Sequence, residues 1–178
     1  ATMPATATLV LSSIRFSPDG KFLFAAGRDG KIHRWDLSQP QPPVEPAAEA
    51  NKKNSKAPEP VFPELPPLSG HDGWVSQIAL HPKSQLLFTA DTWGRLIGWS
   101  YAEESPKPLW NVPAAHDGWI RQIALSADGE RLATCGLDKT IRLWSTADGK
   151  KLQEIVGQDE DVFSLAFHPD GKSLVAGD

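Results

Sequence analysis

The chain has 178 residues, with 18 Lys or Arg against 22 Asp or Glu, for a net charge of −4. That balance lacks the cation density for sequence-independent nucleic-acid or polybasic membrane binding, and the single cysteine, Cys135, excludes an internal disulfide or a multi-cysteine metal site. The opening stretch Ala1 to Ile14 is too short and polar to span a bilayer and lacks the basic region of a signal peptide, which favours a cytoplasmic location.

In chain order, the first short alternating run, SSIRFSP (Ser12 to Pro18), leads into a Pro18-Asp19-Gly20 turn. A second turn at Asp29-Gly30 precedes GKIHRW, which ends on Trp35. Nine of the 16 Pro then fall between Ser38 and Leu68, in a stretch with one aromatic residue, Phe62, and seven nearly cancelling charges. Such a segment buries too little apolar surface to offset its ordering entropy, so 38–68 is read as an inserted, partly polyproline loop, with 41–58 its least ordered part. Next come GHDGWVSQIALHP (Gly70 to Pro82) and GRLIGW, ending on Trp99. AHDGWIRQIALSA (Ala115 to Ala127) and KTIRLW, ending on Trp144, follow. The last copy is GQDEDVFSLAFHP (Gly157 to Pro169), with a Pro169-Asp170-Gly171 turn behind it.

His71 to His116 is 45 residues, as is Trp99 to Trp144, and a period of 40 to 45 marks a repeat architecture. The runs are short, rich in β-branched and aromatic residues and bounded by Gly, Pro and Asp, so they are strands. The fold class is all-β. One four-stranded sheet of this size is unstable alone, so several must stack face to face, as in a propeller.

Gly70-His71 to Trp99-Ser100, Ala115-His116 to Trp144-Ser145 and the closing Trp35-Asp36 resemble the WD-repeat β-propellers. The resemblance covers about 9–37 and 69–178. It implies repeats at about 9–37, 69–105, 114–150 and 151–178, with two complete units and incomplete first and last ones. Counted by repeats, these supply 3, 4, 4 and 3 strands, 14 in all. The chain is then part of a larger ring, completed by the rest of its own propeller or by a second chain.

The family's blades are often locked by a His, a Ser or Thr, an Asp and the Trp. The third unit matches at His116, Thr134, Asp138 and Trp144. The second has His71, Thr89 and Trp99, with Trp93 where the Asp belongs. That departure implies a lost partner for His71. The first keeps Asp29 and Trp35 but has Ala25 at the hydroxyl position, and the fourth has Gln158 and Ala176 at the His and hydroxyl positions. His116, Thr134 and Asp138 are not read as a catalytic triad, because the hydroxyl is expected to be buried and bonded to an indole. No metal-ligand spacing or phosphate loop is present, so no metal, cofactor or enzyme activity is expected.

The resemblance implies a non-catalytic scaffold for protein partners. The alternative is an accessory, substrate-positioning propeller of a larger multidomain enzyme. The turns expected on one rim of the ring carry Trp74, Trp93 and Trp119, bordered by Asp72, Asp117, Arg121, Asp161 and Phe163. Aromatic and Arg clusters of this kind make binding hot spots. Ser76 and Arg121, equivalent positions that differ between repeats, are expected to tune specificity.

Overall fold

A computed structural model describes residues 10–41 and 61–178; 1–9 and 42–60 lie outside it, and with them almost all of the 41–58 segment. Fourteen strands and no helix occur among the described residues. They are β1 (Leu11–Phe16), β2 (Phe22–Gly27), β3 (Lys31–Asp36), β4 (Glu64–Ser69), β5 (Val75–Leu80), β6 (Leu86–Asp91) and β7 (Leu96–Ser100). The rest are β8 (Pro108–Val112), β9 (Ile120–Leu125), β10 (Arg131–Gly136), β11 (Ile141–Ser145), β12 (Lys151–Ile155), β13 (Ser164–Phe167) and β14 (Leu174–Gly177).

The strands form antiparallel sheets in the orders β1-β2-β3-β4, β5-β6-β7-β8 and β9-β10-β11-β12, plus a two-stranded β13-β14 sheet. The strand total is the expected one, but its grouping differs from the repeat count. The first strand of each sequence repeat closes the preceding sheet, so the first blade is complete and the last has two strands. β4 also claims residues 64–69, the end of the stretch read as a loop. Pro66 and Pro67 fit there because β4 is an outer strand and its register with β3 shifts between Ile32 and Arg34, which leaves both residues outside the regular ladder. The loop's ends are clipped together by paired hydrogen bonds between Gln41 and Val61, at 2.8 and 3.1 Å.

Burial follows strand position. The second strand of each full blade (FLFAAG, LLFTAD, RLATCG) is buried on both faces, which favours small and apolar side chains. The outermost β12, KLQEI, is almost wholly exposed. The core is divided into layers between blades rather than gathered in one centre. Phe24, Ile32 and Leu68 of the first blade meet Ile78, Leu87, Ile97 and Trp99 of the second. Phe88, Leu96 and Trp110 of the second meet Ile120, Ile123, Leu132 and Trp144 of the third. Ala133, Cys135 and Ile141 of the third meet Val162 and Leu165 of the fourth. The innermost strands are stitched by serines: the Ser12 hydroxyl donates to the Val75 carbonyl, and that of Ser76 to Ile120 O at 2.7 Å.

Two unlike side chains fill the same slot at successive blade junctions. Between the second and third blades, Trp110 lies over Gly98 and donates its indole N–H to Thr146 O at 2.9 Å; any Cβ at Gly98 would overlap that ring. Between the first and second, the fully buried guanidinium of Arg34 donates to Tyr101 O, the carbonyl 45 residues before Thr146, at 2.9 Å. It also donates to Pro66 O, Glu103 O and Glu104 O at 2.9, 2.7 and 2.5 Å, so carbonyl dipoles meet the buried charge. At the ends of the stack, Ile14 and Phe16 on β1 and Val175 on β14 remain exposed.

Candidate functional site

The third blade places its four side chains in one chain of hydrogen bonds. The Trp144 indole donates to Thr134 Oγ1 at 2.8 Å, Thr134 Oγ1 lies 2.6 Å from His116 Nε2, and His116 Nδ1 lies 2.8 Å from Asp138 Oδ1. Satisfying every atom makes Nδ1 the protonated nitrogen: Thr134 donates to Nε2, and Nδ1–H donates to the carboxylate. Burial holds the His116 pKa below its ordinary value against the pull of Asp138, which keeps the ring neutral. Thr134 is wholly buried and its oxygen doubly engaged, so it cannot reach a substrate as a nucleophile.

The second blade corrects one expectation. His71 does not lose its partner to Trp93: its Nδ1 lies 2.8 Å from Asp91 Oδ2, its Nε2 lies 2.7 Å from Thr89 Oγ1, and Trp99 donates to Thr89 at 2.9 Å. Asp91 occupies the place of Gly136 in the third blade, two residues before the expected turn position. From the strand end its carboxylate reaches the same imidazole. It also accepts the Trp93 and Arg95 backbone N–H groups, each at 2.9 Å. Burial raises the Asp91 pKa, but the His71 and backbone donors outweigh it and the net shift is downward.

The first blade is built differently. Asp29 does not join Trp35; its Oδ2 lies 2.8 Å from His33 Nε2, and Glu64 Oε1 lies 2.8 Å from His33 Nδ1. Burial opposes the charge on His33, but the two carboxylates prevail and its pKa is raised. Trp35 is buried against Leu23 and Ala25, and with no hydroxyl at position 25 its indole N–H lacks a partner among the described residues.

Freed from the network, Trp93 turns outward and is 68% exposed. It lies against Gly73, beside Trp74, which is itself 44% exposed. The turn before each innermost strand and the turn between the second and third strands meet on one rim, because Gly94 O accepts the Ala115 and His116 N–H groups at 2.8 and 3.1 Å. Gly94 has φ +84°, and a Cβ there would collide with the His116 carbonyl, so the junction requires glycine. Trp74 and Trp119, one blade apart, line a shared cavity of about 360 Å³ with Val10, Arg28, Val75 and Thr92.

Both rings carry a guanidinium. Arg28 lies 4.0 Å from the centre of Trp74, and Arg121 lies 3.8 Å from that of Trp119 and 5.0 Å from that of the half-exposed Phe163. Arg28 was missed because its turn belongs to the preceding repeat, which sequence spacing does not bring next to Trp74. Exposed Asp72 is held by Arg95. Asp117 is exposed and Asp161 half-buried near the same turns. Ser76, which also lines the cavity, is buried with its hydroxyl committed to Ala90 O and Ile120 O, so it joins adjacent blades. Among the described residues no group of three or more His, Cys, Asp or Glu could hold a metal ion, and no helix is long and apolar enough to cross a membrane.

Four-stranded antiparallel blades, stacked through their flat faces and locked by buried His–Thr–Asp–Trp chains, define a segment of a β-propeller. The chain belongs to the WD40 family: the description "WD domain, G-beta repeat" matches residues 2–36, 63–100, 107–145 and 149–178. It is 32% identical over 158 residues to the nuclear distribution protein PAC1 of Arthroderma otae, covering 89% of this chain and 24% of that protein. It is 28% identical over 167 residues to protein groucho of Drosophila melanogaster, covering 94% of this chain and 20% of groucho. A 45-residue stretch, 25% of this chain, is 49% identical to 11% of the Lissencephaly-1 homolog of Heterostelium pallidum. The chain thus spans a quarter or less of these relatives' length.

Proposed function

We propose that the chain is a non-catalytic scaffold for protein–protein interaction and that partners dock on the rim carrying Trp74, Trp93 and Trp119. One observation supports this most: Trp74 and Trp119 line one cavity and each carries a stacked arginine, and the neighbouring Trp93 is exposed on the turn beside them. Aromatic and Arg side chains dominate binding energy at interfaces because they bury much area with little entropy loss. Asp72, Asp117, Asp161 and Phe163 form the surround. Ile14, Phe16 and Val175 are the faces that a further blade covers, from the same chain or a second one. The test is Trp74→Ala with Trp119→Ala, measured by thermal melting and by affinity capture with mass-spectrometric identification. Lost capture at an unchanged melting point supports the rim; unchanged capture with a lower melting point makes the indoles structural plugs.

A further inference from the structure

We propose, on the basis of the rim reading above, that the rim's ligand is an acidic linear peptide of a partner protein. One aromatic or branched apolar side chain enters the cavity, and neighbouring carboxylates pair with Arg28 and Arg121. The cavity wall selects for this. Val10, Val75, Trp74 and Trp119 make it largely apolar, its serine hydroxyls donate to backbone carbonyls (Ser12 to Ala26 and Val75, Ser76 to Ala90 and Ile120), and Thr92 Oγ1 accepts the Trp74 backbone N–H, which leaves one hydroxyl proton for a ligand. An inserted side chain that needs its own hydrogen bonds is therefore disfavoured.

Among the described residues, Arg28 is the only charged one in the lining. The other arginines of this region are neutralised: Arg95 by Asp72, and Arg142 by Asp138 and Glu154. Among the described residues, neither Arg28 nor Arg121 has a carboxylate within ion-pair distance, and Arg121 Nε is buried without a hydrogen-bond partner. A guanidinium lying over an indole keeps its N–H edge for a planar, bidentate acceptor, which a carboxylate supplies. Trp74 and Trp119, the rings of the two stacks, stand one blade apart and line one cavity, so a single extended segment can reach both. A polyanion is unsuited, because Asp117 and Asp161 share the rim and the whole chain is at −4. A few carboxylates flanking an apolar anchor meet the cations without that repulsion.

The test is selection of a displayed random peptide library on the full chain, followed by fluorescence polarisation with synthesised winners. Enrichment of Asp or Glu beside Phe, Trp, Leu or Ile is expected. Replacing those acids by their amides should weaken binding about tenfold or more, and so should Arg28→Gln or Arg121→Gln. Affinity should fall as salt rises. Neutral or basic winners, no enrichment, amide peptides that bind equally, or arginine variants that bind normally would overturn the proposal. So would a phosphoserine peptide that binds more than about tenfold tighter than its glutamate form, since that selects a phosphate site. If the arginine variants bind normally while Trp74→Ala with Trp119→Ala abolishes binding, the acidic ligand falls and the rim reading stands. If neither set matters, both fall.

Discussion

Asp91→Ala should be among the more damaging substitutions in the second blade, although it lies at a position the repeat pattern leaves empty. The carboxylate accepts three hydrogen bonds, from His71 Nδ1 at 2.8 Å and from the Trp93 and Arg95 backbone N–H groups at 2.9 Å each. The His71 side chain is completely buried, so its orphaned N–H costs about 1–3 kcal/mol. Water reaches the turn and replaces part of the other two bonds, leaving about 0.5–1 kcal/mol each. The sum is about 3 kcal/mol, or roughly 6–12 °C in Tm for a chain of this length. The third blade supplies a rescue, since Gly136 and Asp138 occupy the places of Asp91 and Trp93, and Asp138 reaches His116 at 2.8 Å. Asp91→Gly with Trp93→Asp should therefore recover about half of the loss, the remainder reflecting the backbone entropy of a new glycine. Urea unfolding followed by tryptophan fluorescence measures both, with an unchanged m value required for the comparison. A loss under about 1 kcal/mol, or a double variant no more stable than Asp91→Ala, would refute the reasoning.

Arg34→Lys should cost about 2–4 kcal/mol in the same urea assay, because one ammonium with three donors cannot serve the four carbonyls that hold the guanidinium. Gly98→Ala should cost about 1–3 kcal/mol by driving Trp110 from its slot, and Trp110 fluorescence should shift to the red. The His33 pKa is raised from 6.5, so its stabilisation is complete below that value and is lost as pH rises through the higher folded value. The Tm of the native chain should therefore fall as pH rises above 6.5, and His33→Gln should flatten that slope. Cys135 is buried and its thiol is pushed up to about 11, so a disulfide reagent at mildly alkaline pH should modify it only as fast as the chain opens.

The sequence by itself determined what is periodic. Alternation, turn glycines and the 45-residue spacing of His and Trp fall within one repeat, and that local chemistry is enough to place strands and to align blades. The hydroxyls of Thr89 and Thr134 were legible for the same reason. Tertiary structure decided which side chain fills each slot, because a slot is defined by volume and by unsatisfied donors, not by column number. A carboxylate two residues early, on Asp91, satisfies His71 as Asp138 satisfies His116. Arg34 and Trp110, on different strands and of opposite polarity, answer equivalent carbonyls at successive junctions. His33 meets Glu64 from the far end of the Pro-rich insertion, 31 residues away, where a stretch that reads as loop pairs with β3 as an edge strand. Arg28 reaches Trp74 only because the turn of one blade overhangs the innermost strand of the next, a contact that exists once the blades are stacked.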